Sequence, residues 1–150
     1  MTKSTFFFIL FALLCSFKPR STKPNADEIT WEQLSNIILK EVWSDTYKMK
    51  INKVTFPPEV KKLNGKIISI TGFLIPVTTY GNEYVISANP YSGCYFCGNA
   101  GIESIIELKF EKNNIRYKID RYIVVEGKLL LNEADGIGFI YTLQNAKEVM

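Results

Sequence analysis

Short stretches of alternating apolar and polar residues, separated by turn residues, run along most of this chain. Residues 47–56 place Tyr47, Met49 and Ile51 on one face and lysines on the other, which is the period of a half-buried β-strand. Residues 103–110 alternate in the same way. Further strands are predicted from β-branched content over 66–75, 83–88, 122–131 and 139–143, with turns at 64–65, 81–82, 113–114 and 133–138.

Helical signals are few and short. Thr30 and Gln33 have the spacing of a capping box, which predicts a helix that starts at Thr30 and caps one end of the fold. Residues 37–43 fit either the end of that helix or a strand, and residues 59–63 fit one helical turn. We expect both tryptophans, Trp31 and Trp43, to pack against the core or an edge.

These elements predict a mainly β fold. The count is five or six strands with one or two short helices and no alternation of strand and helix along the chain. Gly72 and Gly127 interrupt two central strands, which indicates bends or bulges in a strongly curved antiparallel sheet. A small OB-like barrel is therefore expected, with a β-sandwich as the alternative.

The N-terminus has the pattern of an export signal. Lys3 precedes an unbroken apolar run over residues 6–15, which is too short to span a bilayer and typical of a signal peptide. We predict a signal peptide over residues 1–16, a linker over 17–28, and an OB-like domain over 29–150. Cys15 closes the apolar run and is a candidate for lipidation, although Leu14 before it is large for that signal.

Composition narrows the possible chemistry. The 150 residues include no histidine, which excludes c-type haem attachment, histidine-based zinc catalysis and triads that use histidine. Removal of residues 1–16 would lower the net charge from +3 to +2. That charge is too small to predict nucleic acid or an anionic membrane surface as a partner. Contact with a membrane is expected only through an N-terminal lipid anchor or an uncleaved signal.

Two cysteines three positions apart, Cys94 and Cys97, form the most specific motif in the predicted domain. The favoured interpretation is a disulfide that braces a loop in an oxidising compartment. Thiol–disulfide exchange is a second interpretation, but a thioredoxin fold is disfavoured because a strand, not a long helix, follows the motif. A soft metal, Zn or Cu(I), is the third. A zinc site would need two further ligands, from Glu103, Glu107 or Asp120 or from the thiolates of a second subunit, whereas Cu(I) needs only the two thiolates. We expect no other cofactor.

Aromatic and polar residues surround the motif. We treat six of them as candidate contacts for a ligand or partner: Asn89, Tyr91, Tyr95, Phe96, Asn99 and Glu103. The aromatic ones could equally cover the end of the barrel. No catalytic constellation is evident: Glu103 and Glu107 on one strand face would stand about 13 Å apart, which is too far for a glycosidase pair.

The sequence resembles an uncharacterised family of small exported bacterial proteins with an OB-like barrel. The resemblance rests on Cys94-Tyr95-Phe96-Cys97-Gly98, and on weaker stretches at 63–66, 70–76, 87–91, 100–104, 125–129 and 141–146. It covers roughly residues 30–149 and implies export, the barrel and an important loop. Ile102 stands where members of the family often have Pro.

The expected function is that of an exported, non-enzymatic binding or accessory module in the periplasm or cell envelope. The loop over residues 89–103 would be its recognition surface, and its partner an envelope protein or a small ligand. The alternative is a thiol–disulfide redox or soft-metal protein that uses Cys94 and Cys97.

Overall fold

The structure, a computed structural model, describes residues 26–78, 83–112, 117–133 and 138–149. It contains two short helices, α1 (Trp31–Ser35) and α2 (Pro58–Lys61). The strands are β1 (Asp27–Glu28), β2 (Ile38–Ser44), β3 (Met49–Thr55), β4 (Ile67–Pro76), β5 (Tyr84–Ser87), β6 (Ile105–Phe110), β7 (Arg121–Leu131) and β8 (Tyr141–Val149). The predicted signal peptide with Cys15, most of the linker, and the turns at 81–82, 113–114 and most of 133–138 lie outside the described residues.

Five strands close into a barrel. The sheet runs in the order β4, β5, β6, β8, β7, and β7 pairs again with β4, so that this ring of strands has no open edge. Strands β6 and β8 are parallel, while the other pairs in the ring are antiparallel. The predicted OB-like barrel is confirmed; the sandwich alternative and a purely antiparallel sheet are wrong.

The barrel interior takes every second side chain of the long strands. In β4 the inward residues Ile68, Ile70 and Leu74 are completely or almost completely buried, and Leu129 and Leu143 meet them from β7 and β8. Each such side chain contributes about 1.5–3 kcal/mol by burial. The strand periodicity seen in the sequence is therefore the periodicity of this core.

Gly72 lies where three parts of the chain approach one another. A Cβ at this position would stand 2.5 Å from the Ser87 carbonyl oxygen at the end of β5 and 3.2 Å from the Trp31 ring. The β4–β7 register continues without a shift through Gly72, so the predicted bulge is wrong and the glycine allows a close backbone approach instead. Here the Trp31 Nε1 donates to the Thr71 carbonyl oxygen at 2.8 Å.

Gly127 does accompany a bulge, as predicted. The β7–β8 register shifts between Glu126 and Lys128, and Asn145 on the bulged strand has φ of 52°. A Cβ on Gly127 would stand 2.8 Å from the Gln144 carbonyl oxygen. The glycine thus lets the two strands approach closely at the bulge.

Helix α1 closes one end of the barrel. Its capping box forms as predicted, because the Gln33 amide donates to Thr30 Oγ1 and the Gln33 side chain accepts from the Thr30 amide. Leu34 is fully buried in the main core. The Tyr141 hydroxyl donates to the Leu34 carbonyl oxygen at 2.6 Å, which ties the end of the helix to the barrel.

Strands β2 and β3 form a separate two-stranded sheet, which we call the ribbon (residues 38–55). Its base joins the barrel through Val54, and the following Phe56 is also buried. Residues 37–43 are thus strand over most of their length. Trp43 is 61% exposed on the ribbon, so its predicted packing is wrong, whereas Trp31 does pack against the core. No helix among the described residues has the length and apolar character needed to cross a membrane.

Candidate functional site

The Cys loop (residues 88–104) connects β5 to β6 and is built from three single 3₁₀ turns, Tyr91–Gly93, Tyr95–Cys97 and Ile102–Ser104. The Ala88 amide donates to the Ser104 carbonyl oxygen at 3.0 Å and closes its base. The Gly98 amide donates to the Tyr95 carbonyl oxygen, with Gly98 at φ 74°. That left-handed conformation favours glycine, so the loop's turn at this point is encoded locally.

Cys94 is buried against the outside of the barrel. Its exposed fraction is 0%, and it packs in a small cluster with Ile75, Val85 and Ile105. These three side chains lie on the outer faces of β4, β5 and β6. In OB-fold proteins the outer face of the second and third barrel strands is the common ligand surface. In this protein the Cys loop covers part of that face.

Cys97 lies at the surface. Its thiol donates to the Tyr91 carbonyl oxygen, with an S···O distance of 3.0 Å. The pKa of Cys97 is raised, first by desolvation, then by the charge of Cys94 and by a hydrogen bond with it. A raised pKa reduces the thiolate fraction, which is the opposite of what a reactive redox cysteine requires.

The structure shows Cys94 and Cys97 as free thiols, so the predicted disulfide is not shown. The Cys94 thiol is nevertheless close enough to Cys97 to help raise the pKa of Cys97. A bridge between them under oxidising conditions stays a prediction.

The candidate oxygen ligands for a metal have other partners. Asp120 accepts a hydrogen bond from the Tyr91 amide at 2.7 Å, and Glu107 accepts one from Thr142 Oγ1 at 3.1 Å. The Glu103 carboxylate lies directly against Gly101. Within the described ranges, no group of three or more cysteine, aspartate or glutamate side chains could hold a metal ion.

The three aromatic side chains of the Cys loop lie at the surface. Tyr91, Tyr95 and Phe96 are each between 38% and 45% exposed. Phe96 makes edge contacts with Tyr95 and with Phe139, at centroid distances of 5.8 and 6.4 Å. The Phe139 contact joins the Cys loop to the segment that connects β7 and β8. Tyr95, Phe96 and Phe139 therefore form a connected aromatic cluster, and Tyr91 is exposed at the start of the loop.

The polar candidate residues of the loop form hydrogen bonds near the loop or are half-buried. The Asn99 side chain donates to the Ser92 carbonyl oxygen at 3.1 Å and crosslinks the loop. Asn89 is half-buried, and its amide donates to Ser87 Oγ at 3.1 Å. Glu103 is also half-buried. These residues shape the loop, and the aromatic side chains form its outer surface.

A groove of about 270 Å³ lies between the Cys loop, the ribbon and the segment just before β8. Its lining is mostly apolar or glycine: Leu39, Asn52, Val54, Tyr95, Gly101, Ile102, Gly138 and Ile140. Of these, only Tyr95 was a candidate from the sequence. The ribbon residues escaped notice because their periodicity indicates a strand but not which other element that strand faces.

No protein-family model matches this sequence, and no curated protein matches it significantly. Among solved structures, the chain is similar to a DUF3299 family protein from Pseudomonas aeruginosa PAO1. The TM-score is 0.52 at 16% sequence identity, over 83% of this chain and 97% of that one. At this identity the similarity shows the fold alone. The barrel thus fits the resemblance to an uncharacterised family, while export and a role for the cysteine motif stay predictions.

Proposed function

We infer that this protein is a non-enzymatic binding module of the cell envelope, which holds an apolar segment of a partner protein in the groove beside the Cys loop. The observation that carries this inference is the exposed apolar surface around that groove. Leu39 and Tyr95 stand on its two sides, and Phe96 extends it outward. Exposed aromatic residues around a concave site are typical of protein recognition.

The size of the groove favours a side chain over a free small molecule. Sites for small ligands and cofactors usually enclose about 300–1,000 Å³, and this groove is slightly smaller, at about 270 Å³. None of the described residues that line it carries a charge, which favours an apolar side chain as its occupant. One or two apolar side chains of a partner would fill it, with the surrounding aromatic residues excluding water.

The loop geometry supports a preorganised surface. The Cys94 side chain anchors the centre of the loop to the barrel, and the Asn99 bond to Ser92 holds its outer part. A rigid loop loses less conformational entropy on binding than a mobile one. We propose the location in the cell envelope from the apolar run over residues 6–15.

A photo-crosslinking amino acid at Leu39 tests this function in the producing cell. We expect a discrete protein adduct from position 39, and its loss when Tyr95→Ala is added. Tyr122 is the matched control position, because its side chain is 63% exposed but does not line the groove. No adduct at position 39, or equal adducts at both positions, would contradict the proposal.

Thiol chemistry is the second candidate, favoured by the proximity of the two cysteines in one 3₁₀ turn and its N-cap and by the effect of Cys94 on the pKa of Cys97. A reversible bridge would form if an oxidant of the envelope removed two electrons and two protons from the pair. Counting alkylatable thiols in protein isolated without reductant tests it. Two free thiols that resist mild oxidation, with no bound metal, would leave only the binding role.

A further inference from the structure

The ribbon has a second face, opposite the one that lines the groove. Successive side chains of a strand point to opposite sides, and Leu39, Asn52 and Val54 point to the groove. The other side, which we call the outer ribbon face, therefore carries the alternate positions. These are Ile38, Lys40, Val42 and Ser44 on β2, and Met49, Ile51, Lys53 and Thr55 on β3.

This outer ribbon face combines positive charge with apolar surface. Lys40 stands directly opposite Lys53 in the strand register, an arrangement of like charges that costs stability. Neither lysine forms an ion pair with any residue in the described part of the chain. The face carries no acidic residue, because Glu41 lies on the groove side, where it pairs with Lys50 at 2.8 Å.

The ribbon tip exposes large side chains on more than one side. Trp43 on the groove side is 61% exposed and Met49 on the outer side is 53% exposed, with Tyr47 in the turn between them also exposed. Lys48 and Asp45 share that turn. Trp and Tyr with nearby lysines are typical of surfaces that sit at a membrane–water interface, where rings enter the headgroup layer and ammonium groups stay at its surface.

We propose that the ribbon tip and the outer ribbon face dock on an anionic lipid bilayer. An acidic protein would meet one face of the ribbon, whereas a headgroup layer contacts all sides of the tip at once. Lys40, Lys48 and Lys53 would lie against anionic headgroups. Within the part of the chain that the structure describes, both ribbon edges have backbone groups without a strand partner. These groups require water and would hold the ribbon in the hydrated headgroup layer, outside the hydrocarbon core.

This inference goes beyond the proposed partner groove and does not depend on it. The groove side of the ribbon base stays available when the outer face and tip meet lipid. The small net charge of the whole chain does not predict an anionic membrane as a partner. The fold, however, concentrates four lysines and two acidic residues on the ribbon, with the unpaired lysines on one face and at the tip.

Vesicle partitioning tests the proposal with the protein as it is isolated from the cell. We expect binding to phosphatidylglycerol vesicles that weakens with salt, and much weaker binding to phosphatidylcholine vesicles. Lys40→Gln with Lys53→Gln should reduce the partition coefficient about tenfold or more. The control pair, Lys62→Gln with Lys118→Gln, makes the same change in net charge at exposed positions outside the ribbon. It should change the partition coefficient less than twofold.

Trp43 supplies an independent readout. Its fluorescence should shift to shorter wavelength when phosphatidylglycerol vesicles are added, and Trp43→Phe should lose that shift. Equal binding to both lipids would overturn the proposal, because an N-terminal anchor alone would then explain binding. The same loss of binding in both lysine-pair variants would also overturn it, because net charge alone would then be sufficient. A protein adduct from a crosslinker at position 53, without lipid binding, would identify an acidic protein as the partner instead.

Discussion

At the scale of single residues, two cysteines of one motif have opposite environments. The 3₁₀ turn Tyr95–Cys97 begins after Cys94, so that Cys94 points into the cluster on the barrel and Cys97 ends the turn at the surface. Burial of Cys94 makes it a packing residue first. Cys97 is the accessible member, and its pKa is raised.

We expect Cys97 to react slowly with iodoacetamide at neutral pH. Because its pKa is raised, the alkylation rate should increase at higher pH than for cysteine in an unstructured peptide. The Cys94→Ser variant should shift that profile to lower pH, since Cys94 is one cause of the raised pKa. Mass spectrometry of alkylated samples across pH measures it, and identical profiles for variant and parent would contradict it.

Gly72→Ala should strongly destabilise the protein. The added methyl group would stand 2.5 Å from the Ser87 carbonyl oxygen, and a backbone atom within a paired strand cannot easily move. A loss of about 1–3 kcal/mol or more in the free energy of unfolding is expected. Gly93→Ala is the control, because its methyl group would meet only Asn89, at 3.9 Å. Urea unfolding of both variants measures the difference, and equal values would count against this packing.

At the scale of elements, the five-residue α1 is too short to be stable alone and depends on the barrel. Its last carbonyl groups have no partner within the helix. One of them, at Leu34, accepts from the Tyr141 hydroxyl on β8. The helix in turn places the Trp31 side chain so that its Nε1 donates to the Thr71 carbonyl oxygen of β4. Helix and barrel therefore stabilise each other.

Tyr141→Phe should cost about 1–3 kcal/mol in the free energy of unfolding. The ring remains in place beside Phe56, but the Leu34 carbonyl oxygen loses its buried donor. Tyr122→Phe removes a hydroxyl from an exposed ring and should change the free energy by less than about 0.5 kcal/mol. Denaturant titration compares the two, and equal effects would show that the Tyr141 bond contributes little.

At the scale of the whole molecule, two desolvated phenols, the buried Tyr141 and the half-buried Tyr117, link stability to pH. Desolvation is the main cause that raises the pKa of Tyr141, with a contribution from Glu103, and desolvation also raises the pKa of Tyr117. The folded state thus favours the neutral phenols. Their contribution is complete below the ordinary tyrosine pKa, near 10, and is lost as pH rises through and above that value.

The free energy of unfolding should therefore decrease as pH rises from about 9 to 11. The decrease should be smaller in Tyr141→Phe, which has no phenol to ionise at that position. Urea midpoints measured across this pH range, with Tyr122→Phe as the reference, test the linkage. An unchanged slope in Tyr141→Phe would assign the alkaline loss to other groups.

The sequence by itself determined the class of fold and most strand positions, because alternation and β-branched content are local properties that a half-buried strand imposes on its own residues. The capping box at Thr30 and the bend at Gly127 were likewise predictable from local chemistry. The turn in the cysteine motif was predictable for the same reason, since its Gly98 and short spacing encode it.

Only the tertiary structure decided which surfaces face one another. The closure of β7 on β4, the role of Gly72 and the exposure of Trp43 all depend on contacts between residues far apart in the chain, and local periodicity carries no information about those. The groove combines the ribbon, the Cys loop and the segment just before β8. The lysines Lys40 and Lys53 are brought opposite each other by the strand register. Both proposed surfaces therefore arise from pairing and folding of the whole chain.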